Sequence, residues 1–360
     1  MNASAKPIVV CVFSLSLLVS GCGPEQLSGP TVTPTPTNTA TSTITPSPTI
    51  TATSTITPSP TATITSTPIG GSVGRLALVM QGPDVQDKVA TFLINSDGSN
   101  LIKVTSVDFA WFTSWSSDGK RIVYGSDDDN SYIINTDGSN VEKIKRNFTI
   151  PEPLVGGYVV SPDGNKIAFF ARTFDYTSPG VIYVADFDGL TVTNPRFLCK
   201  GSGPVWSPDG SRIAFSYKYN PSSMRVKGNI YVIDSDGSNQ VSLTMNSGDN
   251  SSPSWSPDGS KIAFYSMNQD AHIDYIYIMN SDGSNTVKLT ESSPDYSSWP
   301  NDPSWSPDGH KIAFLQFSRK SPEALGELTS SIYLINVDGT NKTLMFDCSP
   351  NLCSDITWAP

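Results

Sequence analysis

The chain predicts an all-β fold, a six-bladed β-propeller, and three observations predict it. A Trp-Ser-Pro-Asp-Gly turn recurs, followed each time by Lys or Arg and Ile-Ala-Phe, then by an apolar strand ending in Asp-Gly-Ser-Asn. The spacing is about 45 to 55 residues, which suits one blade of short strands per repeat. The two ends also complement each other. Arg75-Leu76-Ala77-Leu78-Val79 matches the Ile-Ala-Phe strand without a turn motif before it, and Ile356-Thr357-Trp358-Ala359-Pro360 supplies the missing first strand. Blade 1 is therefore expected to be shared between the termini of the repeat region, which removes the exposed sheet edges of an open array.

The first element of each repeat is Trp115-Ser116-Ser117-Asp118-Gly119, Val160-Ser161-Pro162-Asp163-Gly164, Trp206 to Gly210, Trp255 to Gly259 and Trp305 to Gly309. Proline pre-sets the backbone at the second turn position, Asp binds its own following amides, and Gly takes the left-handed position. A tight hairpin follows, linking the inner strand to Lys166-Ile167-Ala168-Phe169, Arg212 to Phe215, Lys261 to Phe264, Lys311 to Phe314 or the looser Arg121 to Tyr124. The cation opening that strand reads as solvated. Asp-Gly at Asp97, Asp137, Asp188, Asp236, Asp282 and Asp338 marks the second hairpin, between the third and outer strands. Apolar runs such as Ile230-Tyr231-Val232-Ile233 lack alternation because both faces of a blade pack on neighbours.

On these motifs the repeats resemble the WD40-like (PD40) repeats of the TolB-type propeller, and the resemblance covers nearly everything after residue 74. It implies a six-bladed propeller that binds other molecules. The α/β domain that precedes the propeller in TolB has no counterpart here, which puts a role in a Tol–Pal system in doubt.

Three regions are expected. Residues 1–21 read as a secretory signal: Lys6, an apolar stretch from Ile8 to Val19, and small residues before Cys22. The stretch is too short to span a bilayer. Val19-Ser20-Gly21-Cys22 resembles a bacterial lipobox, which implies lipidation of Cys22, and acyl burial would tie a soluble domain to the membrane. Residues 22–74 are a linker. Pro30 to Pro68 is almost entirely Thr, Pro, Ser, Ala and Ile, with no charge between Glu25 and Arg75. So much proline predicts a disordered, extended stalk, or a plain flexible linker, whose hydroxyls could carry sugars. Residues 75–360 form the propeller.

The net charge is −10, and because Lys6 is the only charge in residues 1–21, their loss makes it −11. No basic patch stands out, so nucleic acid is not an expected partner. An exported protein can keep disulfides, and Cys348 and Cys353, in a loop rich in Ser, Pro and Asn, suit a local one. Cys199 is left over and reads as a buried or half-buried thiol. Gly70-Gly71-Ser72-Val73-Gly74 fits a nucleophile-elbow pattern but lacks the preceding strand and following helix. With only His272 and His310, a His-rich zinc site is excluded, and the Asp234 to Asn239 and Asp127 to Asp129 runs read as turns rather than calcium loops. No cofactor, metal or catalytic residue is expected.

In a four-stranded blade the two hairpins fall on one face of the ring and the other connections fall opposite. The second set is long and irregular: Arg172 to Gly180, Ser216 to Gly228, Ser266 to Asp274, Gln316 to Ser330, Asp108 to Phe112 and Glu291 to Asp302. Binding residues concentrate on such loops. The candidates are Phe109, Trp111, Tyr176, Tyr217, Tyr219, Arg225, Tyr296, Trp299 and Arg319. Phe174 and Arg172 fall there too. Aromatics with arginines suit peptide or glycan contact; the bland alternative is that they cap the core. The expected function is a surface-tethered, non-catalytic scaffold for an envelope protein, peptide or polysaccharide. The alternative is a glycan-active enzyme of the sialidase kind, which also uses six blades and an arginine cluster. Scarce Glu and the absence of a matching Asp-box argue against it.

Overall fold

The computed structural model describes residues 74–82, 89–105, 110–126, 130–151, 157–171, 180–218, 228–245, 248–268, 273–291, 298–319 and 328–360. The chain divides into two units, Met1–Ser66 and Thr67–Pro360, and every described residue lies in the second. Cys22 and the Thr/Pro stretch lie outside the described residues.

The second unit is all β. Its described strands form six sheets, one per blade, each ordered inner, second, third, outer. In blade 4 these are Ser202–Trp206, Arg212–Tyr217, Asn229–Asp234 and Val241–Ser242, all antiparallel. Blade 1 is shared. The inner strand Leu352–Trp358 pairs with Arg75–Gln81, Leu76 opposite Trp358 and Leu78 opposite Ile356. The inner strands of blades 2, 3, 5 and 6 are Ala110–Trp115, Val159–Val160, Asp249–Trp255 and Ser298–Trp305. Each of the six touches the next around the ring, and the last, in blade 6, touches that of blade 1.

The second strands explain the apolar run. Ile122, Ile167, Ile213, Ile262 and Ile312 are fully buried, as are Ala168, Ala214, Ala263 and Ala313. Neighbouring residues feed different inter-blade cores: Phe215 and Ile213 pack towards blade 3, whereas Ala214 packs with Trp255 of blade 5. The recurrent tryptophan is what joins blades. Trp206 Nε1 donates to Val159 O at 3.0 Å and Trp255 Nε1 to Val205 O at 3.3 Å, each reaching the preceding blade's inner strand.

The hairpins satisfy themselves. In the first turn Ser207 Oγ donates to Asp209 Oδ1 at 2.6 Å and accepts from Arg212 N at 2.9 Å, and Asp209 Oδ1 accepts from Ser211 N at 3.0 Å. Ser116, Ser161, Ser256 and Ser306 repeat the bond to their aspartates. In the second turn the Asn after Ser, as at Asn239 with φ 52°, adopts the left-handed region that Asn tolerates. Gly119, at φ 65°, takes the left-handed conformation that glycine adopts without strain, with Pro360 of the neighbouring blade at van der Waals distance.

Blade 3 departs from the pattern. Val160 stands at the tryptophan position, and Tyr158 and Phe148 fill that core instead. Its outer strand Thr191–Lys200 runs ten residues, and Lys145–Arg146 adds to it in parallel.

Candidate functional site

Both hairpins of a blade fall on one face, and the opposite face is formed where inner strands begin and second strands end. Hydrogen bonding leaves the hairpin aspartates committed. The serine hydroxyl and the following amide hold Asp118, Asp163 and Asp258 below the usual carboxylate range.

The opposite face is built differently. The inner strands of blades 2, 4, 5 and 6 break register shortly before the tryptophan: between Trp111 and Ser114, Ser202 and Val205, Ser251 and Ser254, and Asn301 and Ser304. Within these bulges lie Gly203 at φ 60°, Ser252 at φ 51° and Asp302 at φ 45°. A bulge bends its strand and re-aims a side chain. Asp302, three residues before Trp305, therefore stands beside the equivalent Asp355 of blade 1 and Ser252 of blade 5. Burial, then the charge of Asp355, raise the Asp302 carboxyl to about 7, while a Ser252 hydrogen bond opposes them.

Further out, Lys218 pairs with Asp249 Oδ2, and Asp249 Oδ1 accepts from Gly228 N at 2.9 Å. That carboxylate ties the end of blade 4's second strand to blade 5's inner strand. Tyr265 donates to Asp274 Oδ1 at 2.9 Å; burial and that carboxylate's charge push the phenol upward. Gln316 Nε2 donates to Ser298 Oγ at 2.6 Å. The mouth is thus acidic and hydrogen-bonded, able to hold or release a proton at Asp302. Among the described residues no three His, Cys, Asp or Glu side chains gather to hold a metal ion.

Of the sequence candidates, Tyr217 ends the second strand of blade 4 and packs edge-on to Tyr231 at 6.1 Å. Arg319 ends the second strand of blade 6, opposite Leu328. Trp111 pairs with Gly125 and Trp299 with Phe317 inside inner strands. These four were expected on loops and stand on strands: Trp111 and Trp299 because the inner strand pairs on the far side of its bulge, Tyr217 and Arg319 because the second strand pairs with the third to its end. Tyr217 and Arg319 are on different blades, with blade 5 between them. Phe109, Tyr176, Tyr219, Arg225 and Tyr296 lie outside the described residues. Cys348 and Cys353 are disulfide-bonded, and Cys199 is buried, its thiol pushed up to about 12 by desolvation. Asp302, Asp355 and Asp249 were not singled out in the sequence. For Asp302 and Asp355 the signal is an Asp three residues before the tryptophan, as in Asp302-Pro303-Ser304-Trp305; Asp249 has no such signal.

Fold and faces define a closed six-bladed propeller with one uniform turn face and one variable face. Residues 129–301 match the TolB beta propeller domain, and the ring is TolB-like in fold. TolB from Acinetobacter baumannii superposes with a TM-score of 0.63 at 22% identity, over 81% of this chain and 68% of that one. A putative TolB from Agrobacterium tumefaciens gives 0.56 at 23% identity, over 81% and 100%. An oligogalacturonate lyase in complex with manganese gives 0.50 at 13% identity, over 76% and 81%. At these identities the likeness is one of fold. No curated protein sequence matches the chain.

Proposed function

We propose that this chain is an exported lipoprotein whose propeller is a non-catalytic binding scaffold, held off a membrane by its Thr/Pro stalk and Cys22 anchor. TolB-like propellers support a binding role in general; the anchor, the stalk and the partner are this reading's own. The supporting observation is the contrast between faces. Hairpin-face polar groups are spent on their own turns, while the variable face carries the differences in length and chemistry from blade to blade. Extended, some forty stalk residues would reach roughly 120 Å at ~3.1 Å each. The partner class is an envelope protein, peptide or polysaccharide.

The anchor is tested by labelled palmitate. Incorporation that is lost in Cys22→Ser, with release or stalling of the protein, supports it; full membrane retention without label removes it. The scaffold is tested on the full-length chain with a glycan array and with cross-linking to purified envelope fractions. Saturable binding without product formation is the expected result.

A second reading, a glycan-active enzyme, draws on one observation. The Asp302 carboxyl, raised by burial and by Asp355 beside it, belongs to a pair of carboxyls, and glycosidic cleavage uses such a pair. Release of reducing ends from any arrayed oligosaccharide, lost in Asp302→Asn, would favour turnover over binding.

A further inference from the structure

We infer that the outer wall between blades 3 and 4 carries a separate binding site, for a hexuronic acid residue of an acidic polysaccharide. The site lies beside Tyr231, at a register where three other blades carry a lysine and blade 4 carries Ser242. In blades 1, 2 and 5 the aromatic of the third strand lies directly across from an outer-strand lysine: Phe92 from Lys103, Tyr132 from Lys143, Tyr277 from Lys288. Directly opposed residues share one face of the sheet, so these lysines lie alongside the rings. The Lys288 ammonium is 4.8 Å from the Tyr275 ring centre, and in blade 6 the Lys342 ammonium is 4.6 Å from that of Tyr333. Three blades differ: in blade 3 Tyr183 faces Phe197 and in blade 6 Tyr333 faces Leu344, so a bulky side chain stands where the lysine would, whereas blade 4 has neither. Tyr231 faces Ser242, whose short side chain donates to Thr244 O at 2.9 Å. A cleft of about 390 Å³ opens there, lined by Tyr231, Tyr217 and Gln240 of blade 4 and by Phe197, Cys199 and Lys200 of blade 3.

Its walls are preset. Phe215 stacks on Tyr231 at 5.5 Å and Tyr217 meets it edge-on at 6.1 Å, so the ring is fixed before any ligand arrives. Phe197 is 57% exposed beside it. Apolar walls with a few polar groups at the margin are the usual make-up of a small-ligand site. A pyranose offers one C–H face to a tyrosine ring and a rim of hydroxyls to phenols and the Gln240 amide. Charge chooses among the possible occupants. An external ammonium would meet Lys200 inside the same cleft, whereas a carboxylate would gain a charge-assisted hydrogen bond there. An added peptide strand is disfavoured on the neighbouring edge: Thr191–Lys200 carries Asn194 at φ 50°, Pro195 and two register shifts, which blunt an edge against pairing. The anionic sugar is what remains.

The test uses the full-length chain with a hexuronate tetrasaccharide and its carboxyl-reduced neutral counterpart, read by saturation-transfer NMR and titration calorimetry. Wild type should prefer the acidic probe. Ser242→Lys, which introduces the lysine that blades 1, 2 and 5 carry at this register, should abolish binding of both probes without lowering Tm. Lys200→Ala should bind the two probes equally. Binding that survives in Ser242→Lys, a preference for the neutral probe, or no binding at about 10 mM would overturn the assignment. Repeating the titration with Trp111→Ala/Trp299→Ala separates this site from the variable-face reading, because the cleft should bind as before.

Discussion

The indole nitrogen of Trp115 donates to the carbonyl of Thr357 at 3.2 Å, joining residues 242 positions apart. It is the same bond that Trp206 and Trp255 make to their preceding blades, here formed across the closure of the ring. Trp358 N approaches Ser304 Oγ at 3.3 Å on the other side, so the shared blade is tied to both neighbours.

Trp115→Phe should therefore destabilise the ring beyond its loss of packing, by about 1 kcal/mol for the broken hydrogen bond. Trp305 is the control. Its indole nitrogen is buried without a hydrogen-bond partner, so Trp305→Phe removes area but no bond. Urea unfolding of the two variants should differ by that amount, with Trp115→Phe the weaker. Equal midpoints would mean that the closing bond contributes nothing.

The architecture was legible because the turns are. Ser-Pro-Asp-Gly and Asp-Gly-Ser-Asn dictate two hairpins by local chemistry alone, and the unmatched Arg75 strand dictated which ends meet. Blade 3 was less legible. A two-residue exposed strand such as Lys145–Arg146 has no periodicity to read, and Val160 replaces the tryptophan that marks other blades. The candidate site was legible as a face but not as residues. A bulge moves a side chain by one position without changing the sequence pattern, so Asp302 looked like loop and Trp299 like a loop aromatic. The cleft at Tyr231 depends on a comparison across strands, Ser242 against Lys288, which only the register reveals.

Removing the disulfide should loosen the closing seam. Cys348 and Cys353 are five positions apart, and both pack in the core that holds Ile332, Ile356 and Trp358. Cys353 N also donates to Ser330 Oγ at 2.7 Å, fixing the link to blade 6. So short a loop yields about 2 kcal/mol by chain entropy. A Cys348→Ser/Cys353→Ser double variant should melt several degrees lower, and wild type with reductant present during unfolding should shift the same way. A melting temperature unmoved in both experiments would sink this.

Stability should decline with rising pH across the mildly acidic range. The Asp302 carboxyl is raised to about 7, above its value in an unfolded chain. Between about pH 4 and pH 7 the folded state binds the extra proton, so its stability falls as pH rises through that window and levels off above it. The hairpin aspartates, held low by their serines, act oppositely and only at more acid pH. Asp302→Asn should flatten the decline and leave the acid limb intact. Urea midpoints at three pH values in that window decide it; a wild-type profile as flat as the variant's would discard the shift.

Binding energy should concentrate on the variable face. Buried aromatic anchors commonly carry most of an interface's energy. Trp111 and Trp299 fall outside the repeated tryptophan position. Trp111 lies opposite Gly125, which offers no side chain across the strand, and Trp299 lies opposite Phe317. Substituting either by Ala should weaken binding to the partner found by cross-linking by about 1 to 4 kcal/mol, with the unfolding midpoint little changed. Ser238 is the opposite case. Its hydroxyl donates to Asp236 Oδ1 at 2.7 Å within its own hairpin, so Ser238→Ala should touch only that turn. Loss of affinity in Ser238→Ala, with both tryptophan variants binding as wild type, would reverse the assignment of the two faces.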